Sequence, residues 1–247
     1  RLMKWQRAQQ HSVDDAEDRG VGADAERQRK HGHKCKCRLT AQDAKAITRF
    51  KPHGVAAVLG PFNMPGHLPN GHIVPAVLAG NTVVFKPADL VPGCAWALAD
   101  IFAKAGVPAG VFNLVMGRGS VVGEALVNDP DVNAISFTGS AGTGRAIAQK
   151  AIARMAKIQL EMGGKNPLVV LDDADLKTAV ESAVNGAYFS TGQRCTASSR
   201  LIVTKGIHNK FVEALTERLK SVTVDNALKP GVQMGPVVDK NQLNQDL

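Results

Sequence analysis

Cys195 sits in Phe189-Ser190-Thr191-Gly192-Gln193-Arg194-Cys195-Thr196, 34 positions after Glu161 in Leu160-Glu161-Met162-Gly163-Gly164. A thiol in a polar, glycine-containing turn is placed to attack a carbonyl carbon. A carboxylate in a Gly-Gly loop, partly desolvated by the preceding Ile158 and Leu160, is suited to take a proton from water. They are the two groups needed to attack a carbonyl and, once a thioester exists, to hydrolyse it. The bland alternatives are a small buried hydrophobe for Cys195 and a salt bridge to Lys157 or Lys165 for Glu161. Cys94, in Pro92-Gly93-Cys94-Ala95-Trp96, is the comparison case and is expected in the core.

Other residues offer supporting chemistry. Asn63, in Gly60-Pro61-Phe62-Asn63-Met64-Pro65, can donate to a developing oxyanion together with the Cys195 backbone N–H. Plain turn chemistry is its alternative. Lys86 and Asp89, in Phe85-Lys86-Pro87-Ala88-Asp89, can bracket the hydroxyls of a ribose, or else form a solvated loop. In Phe137-Thr138-Gly139-Ser140-Ala141-Gly142-Thr143-Gly144, Gly139 and Gly144 let backbone approach a phosphate beside Ser140 and a helix start. Gly117-Arg118-Gly119-Ser120-Val121-Val122-Gly123 imitates a dinucleotide fingerprint but has one residue too many, so it reads as a turn.

These residues need a scaffold that holds them at strand ends. From about Pro52, short apolar runs alternate with amphipathic stretches. Strands are predicted at Val55–Leu59, Thr82–Phe85, Phe112–Val115, Ala134–Phe137, Leu168–Leu171 and Leu201–Thr204. Helices are predicted at Leu68–Ala79, Pro92–Ala105, Val121–Val127, Gly144–Met155, Leu176–Tyr188 and Ile207–Leu219. The rhythm predicts an α/β fold with a doubly wound, mostly parallel sheet. It pauses near Glu161, which places a boundary between a first domain, 51–160, and part of a second α/β domain, 161–247. Residues 1–50 lack an apolar period and form an atypical segment.

Composition narrows the classes. Lys and Arg exceed Asp and Glu by eight, and five of those charges lie in residues 1–50. With aromatics at 4%, this reads as a solvated basic segment rather than a nucleic-acid site. His31, His33, Cys35 and Cys37 alternate tightly with Lys between them and no second ligand pair, so no metal site is expected. Four cysteines make no secreted-type framework, and no apolar run is long enough to span a bilayer. A cytoplasmic setting is the expectation.

Pro61-Phe62-Asn63-Met64-Pro65, Phe85-Lys86-Pro87-Ala88-Asp89, Phe137-Thr138-Gly139-Ser140, Leu160-Glu161-Met162-Gly163-Gly164-Lys165-Asn166-Pro167 and Gly192-Gln193-Arg194-Cys195 resemble, in this order, the motifs of the aldehyde dehydrogenase superfamily. The resemblance runs from about Lys51 to Leu247. It implies a Rossmann-like NAD- or NADP-binding domain followed by a catalytic domain. It implies Cys195 as the nucleophile, Asn63 as oxyanion donor and Glu161 as the base that activates water. Lys86 and Asp89 resemble the adenosine-ribose contacts, and Ser140 with Gly139 and Gly144 the pyrophosphate turn. Asp89 stands where the family more often has Glu. Stretches after Gly66 and after Lys86 resemble branches acting on succinylglutamate and α-ketoglutaric semialdehydes, with Arg194, His67 or His72 as partners for the carboxylate tail. Family members are about twice as long and form homo-oligomers. The resemblance therefore implies that much of the catalytic domain lies outside this sequence. The competing expectations are a cofactor-independent thiol esterase and an inactive nucleotide-binding fragment.

Overall fold

Alternate residues of Val55–Leu59 (β1) belong to two different cores: Ala56 and Val58 to one, Ala57 and Leu59 to the other. Side chains alternate faces along a strand, so a strand apolar at every position is buried on both sides. The computed structural model, which describes residues 50–247, places β1 at the centre of a five-stranded sheet. Its companions are Thr82–Lys86 (β2), Phe112–Leu114 (β3), Val132–Gly139 (β4) and Lys157–Met162 (β5). All pair in parallel, in the order β3-β2-β1-β4-β5.

Helices cover both faces. His67–Leu78 (α1) and Pro92–Lys104 (α2) pack on one side around Ile73, Phe85 and Ala95. Glu124–Asn128 (α3) and Ala141–Ala153 (α4) pack on the other around Val127, Ile135 and Ile147. This is the doubly wound α/β sheet that the sequence rhythm predicts. A second parallel pair, Asn166–Val170 (β6) and Ser198–Val203 (β7), is covered on one face by Leu176–Tyr188 (α5) and His208–Lys220 (α6). Val170, Val180, Ala183 and Phe211 form that core. Lys240–Asp246 (α7) follows. Among the described residues, no helix is long and apolar enough to cross a membrane.

Three local features depart from expectation. Glu161 lies inside β5 rather than in the Gly-Gly loop, because Lys157, Gln159 and Glu161 alternate with the apolar Ile158 and Leu160 along an edge strand. Helix α4 starts three residues early because Ser140 caps it: the Ser140 hydroxyl accepts the Thr143 N–H at 3.3 Å. Cys94 is exposed, not core. On α2 it is Ala95, Leu98 and Phe102 that face the sheet, and Cys94 falls one position before that stripe. The helix is apolar nearly all round, so its sequence hides the inward face. The His31–Cys37 run lies outside the described residues.

Two polar side chains fix the frame. The Asn81 carboxamide oxygen accepts the N–H groups of His53 (2.6 Å) and Gly54 (3.1 Å), while its nitrogen donates to the Ala76 carbonyl (2.9 Å). It thereby locks the entry to β1 against the end of α1. Asp172, after β6, accepts the Thr204 hydroxyl at 2.5 Å and the Ile207 N–H at 3.1 Å. A Cβ on Gly206 would come within 2.7 Å of that carboxylate, so only glycine permits the approach.

The Thr204 hydroxyl, aided by the Ile207 and Gly206 N–H groups and opposed by desolvation, holds the Asp172 carboxyl below its ordinary range. A depressed folded-state value adds stability above the unfolded value and loses it as pH falls through the folded one. The urea midpoint should therefore drop more steeply below about pH 4 in the native chain than in Asp172→Asn. Equal slopes would sink this account.

Candidate active site

The strand order reverses at β1. Strands β2 and β3 lie to one side of it, and β4 and β5 to the other. Chain leaving β1 and β4 turns toward opposite faces, which opens a crevice at their carboxyl ends. Five of the sequence-predicted residues collect along this edge. Asn63 follows β1, Lys86 ends β2 and Asp89 follows it, Ser140 follows β4, and Glu161 is the penultimate residue of β5. Leu59 pairs with both Lys86 and Phe137, and Thr138 pairs with Glu161. At a strand spacing of about 4.8 Å, Lys86 and Glu161 stand roughly 14 Å apart along the edge.

Cys195 comes from the second sheet's connection and is tied to this edge through its turn. The Asn63 side-chain N–H donates to the Gln193 carbonyl at 2.8 Å, and the Asn63 oxygen accepts the Met64 N–H at 3.0 Å. Ser190, Thr191 and Gly192 all have positive φ (53°, 57° and 70°). For serine and β-branched threonine this is a sparsely populated conformation, stored where the nucleophile is presented. Gly192 is obligatory, since a Cβ there would lie 2.9 Å from the Ala187 carbonyl oxygen. Cys195 is exposed, and among the described residues its N–H and thiol have no partner.

Two positioning residues escaped the sequence reading. Asn166 donates to the carbonyls of Cys195 (2.7 Å) and Ala197 (3.1 Å), pinning the Cys195 turn to the start of β6. Gln193 accepts the Val238 N–H at 3.2 Å and donates to the Thr191 hydroxyl. Asn166 stands within the Leu160–Pro167 motif, but nothing in the sequence marks its side chain as the one that holds the Cys195 turn. A cleft of about 290 Å³ opens between Phe62-Asn63 and Thr191, Gln193, Pro236 and Val238. Neither Cys195 nor Glu161 lines it. Glu161 is exposed rather than desolvated, with no partner among the described residues. It alternates along β5 with Ile158 and Leu160, which pack against the core, so its side chain lies on the opposite face of the sheet.

The cofactor-type residues are also distinct in their surroundings. Lys86 is 7% exposed and donates to Asp89 at 2.7 Å. Ser140 is an N-cap, and also donates to the Thr143 hydroxyl at 2.9 Å. Gly144 is buried, and a Cβ there would meet the Met162 sulfur at 2.5 Å; one on Gly139 would meet the Phe137 ring at 2.5 Å. Gly144 thus lets α4 lie close against the end of β5, and Gly139 leaves room for the Phe137 ring. Of the three candidates for a carboxylate tail, Arg194 is committed elsewhere: it donates to the Asn185 (2.7 Å) and Gly186 (3.2 Å) carbonyls and lies over the Phe189 ring at 5.0 Å. His72 lies 3.4 Å from the Thr138 hydroxyl, and His67 is exposed.

Gly117 and Arg118, read from sequence as part of a turn, line a second cavity with Asp89.

Known proteins resemble this chain in sequence and fold. A profile of the aldehyde dehydrogenase family matches residues 6–246, reaching into the charged segment that showed no apolar period. The chain is 51% identical over 209 residues to an α-ketoglutaric semialdehyde dehydrogenase of Bacillus subtilis (strain 168), covering 84% of this chain and 43% of that protein. It is 47% identical over 190 residues to an N-succinylglutamate 5-semialdehyde dehydrogenase of Burkholderia mallei (strain SAVP1), covering 76% and 39%. A crystal structure of an E. coli NADP dependent enzyme superposes with a TM-score of 0.77 at 39% identity, covering 79% of this chain and 40% of that one. The chain thus spans about two fifths of the length of these relatives.

Proposed function

We propose, from the premise that this chain belongs to the aldehyde dehydrogenase family, that it carries the nucleophile and cofactor edge of an enzyme oxidising a carboxylate-bearing semialdehyde with NAD or NADP. The observation that carries this reading is the 2.8 Å bond from Asn63 to the Gln193 carbonyl. It fastens the Cys195 turn to the carboxyl end of β1, where a doubly wound sheet receives its ligand.

The residues divide the work as follows. The Cys195 thiolate attacks the aldehyde carbon, forming a C–S bond and an oxyanion. The unpartnered Cys195 N–H is one donor to that oxyanion. Asn63 has a second N–H beyond the one spent on Gln193 and supplies the other. The nicotinamide cofactor, when bound, supplies the hydride acceptor that leaves Cys195 as a thioester. Glu161 then takes a proton from water, the water oxygen attacks the thioester carbon, and the acid and the thiol are released. Lys86 and Asp89 fit the adenosine ribose. The free N–H groups of Ala141 and Gly142 at the capped start of α4 fit the pyrophosphate.

In this reading residues 51–160 form the cofactor domain and 161–247 the beginning of the catalytic domain. A reducing cytoplasm suits a protein with two exposed, unpaired cysteines, and a homo-oligomer is expected from the family resemblance. Both named relatives act on semialdehydes bearing carboxylates, which supports that substrate class. His67, exposed and four positions after Asn63, is a candidate partner for that carboxylate.

The test is reduced-cofactor absorbance from the purified chain with α-ketoglutaric semialdehyde, compared with an uncharged aldehyde of equal length. Turnover favouring the semialdehyde is expected. Equal turnover on both would remove the carboxylate from the proposal, and no turnover despite measurable cofactor binding would remove the activity.

A further inference from the structure

We propose that the cavity beyond the carboxyl ends of β2 and β3 takes the adenosine 2′-phosphate of NADP, and that Arg118 is the residue that selects it. This rests on the cofactor reading above and narrows it to one of the two dinucleotides.

The cavity holds about 190 Å³. Pro87, Pro92 and Met116 give it apolar walls, and among the described residues its only charged side chains are Asp89 and Arg118. These two differ in availability. Asp89 is already paired, with Oδ1 2.7 Å from the Lys86 ammonium. Lys86 and Asp89 neutralise one another, so the pair can still hydrogen-bond ribose hydroxyls but brings no net charge to the cavity. Arg118 is exposed, and among the described residues its guanidinium has no hydrogen-bond or ion-pair partner. The net charge offered to a ligand is therefore positive.

The backbone under Arg118 is fixed even though its tip is free. Its carbonyl accepts the N–H groups of Val121 (3.0 Å) and Val122 (2.9 Å), capping the helical turn Gly119–Gly123. Gly117 has φ 146°, and a Cβ there would strike the Val122 side chain at 2.5 Å. Arg118 is thus anchored at its root, and its fork of five N–H donors can meet a phosphate through two parallel bonds. A free carboxylate at this position selects a 2′-hydroxyl, whereas a nearby Arg accommodates a 2′-phosphate. Here the carboxylate is occupied and short, and the guanidinium is free.

The experiment is titration calorimetry of the full chain with NADP, NAD, adenosine 2′,5′-bisphosphate and adenosine 5′-monophosphate. It is repeated on Arg118→Gln and Arg118→Lys, with thermal melts to confirm folding. NADP should bind about tenfold or more tighter than NAD, and the bisphosphate tighter than the monophosphate. Arg118→Gln should erase both preferences and leave NAD affinity within about twofold, while Arg118→Lys should keep part of them. Nucleotides that bind with a ratio unaltered by Arg118→Gln would overturn the assignment of Arg118 and leave the cofactor reading standing. Failure of all four ligands to bind would overturn both.

Discussion

Replacing Cys195 with Ala should abolish aldehyde oxidation, lowering kcat by roughly 10³-fold or more, while NAD(P) affinity stays unchanged. The expectation rests on how the turn is built. Asn166 holds the Cys195 carbonyl from one side, and Asn63 holds the Gln193 carbonyl from the other. Ser190 and Thr191 store a left-handed backbone between them. All of this presents a side chain that makes no packing contribution of its own, since Cys195 is exposed. A buried cysteine would lose stability on truncation; this one should lose only chemistry. Cys94, also exposed, provides the control within the same chain, and Cys94→Ser should turn over normally. A second readout needs no cofactor: hydrolysis of an activated ester should depend on Cys195 alone. Oxidation or ester cleavage that survives Cys195→Ala would remove it as the nucleophile.

The elements of the fold could be read from sequence because β1 is apolar at every position and β2 carries the continuous apolar run Val83-Val84-Phe85. Thr82–Lys86 and Val55–Leu59 have only one way to bury both faces, between helices on a parallel sheet. Strand β5 was harder, because an edge strand carries alternating polar residues that read equally well as an approach to a loop. The site residues could be named because several follow strand ends directly, and a doubly wound sheet gathers strand ends into one crevice.

Other features could not be read, because they depend on distant partners. Asn81 meets His53 and Gly54 across 28 and 27 positions, and Asn166 meets Cys195 across 29. Arg194 illustrates the converse. A cation one position from the nucleophile invites a role in substrate binding, but the end of α5 offers it two carbonyls and a ring. Arg118 is similar in kind: the glycines around it mark a turn, and only the folded chain shows that this turn faces Asp89.

Glu161→Gln should separate the two halves of the reaction. The neutral amide keeps the size and hydrogen-bonding reach of the acid but cannot take a proton, so acylation of Cys195 should proceed and hydrolysis should stall. A first turnover should release close to one equivalent of reduced cofactor per chain. Steady-state turnover should then fall by about 10²- to 10⁴-fold, the range for loss of a general base. The stalled thioester should appear as a mass increase on the peptide containing Cys195. Cys195→Ala, by contrast, should show neither burst nor adduct.

Position makes Glu161 suited to this late role. It stands at the carboxyl end of β5, in register with Thr138 on the strand that leads to Ser140. It is exposed and has no partner among the described residues, so its carboxylate is free to swing toward water once the thioester has formed. A base already locked in an ion pair could not do so. If Glu161→Gln instead lost the burst together with the turnover, the carboxylate would belong to the attack step, as the group that deprotonates the Cys195 thiol.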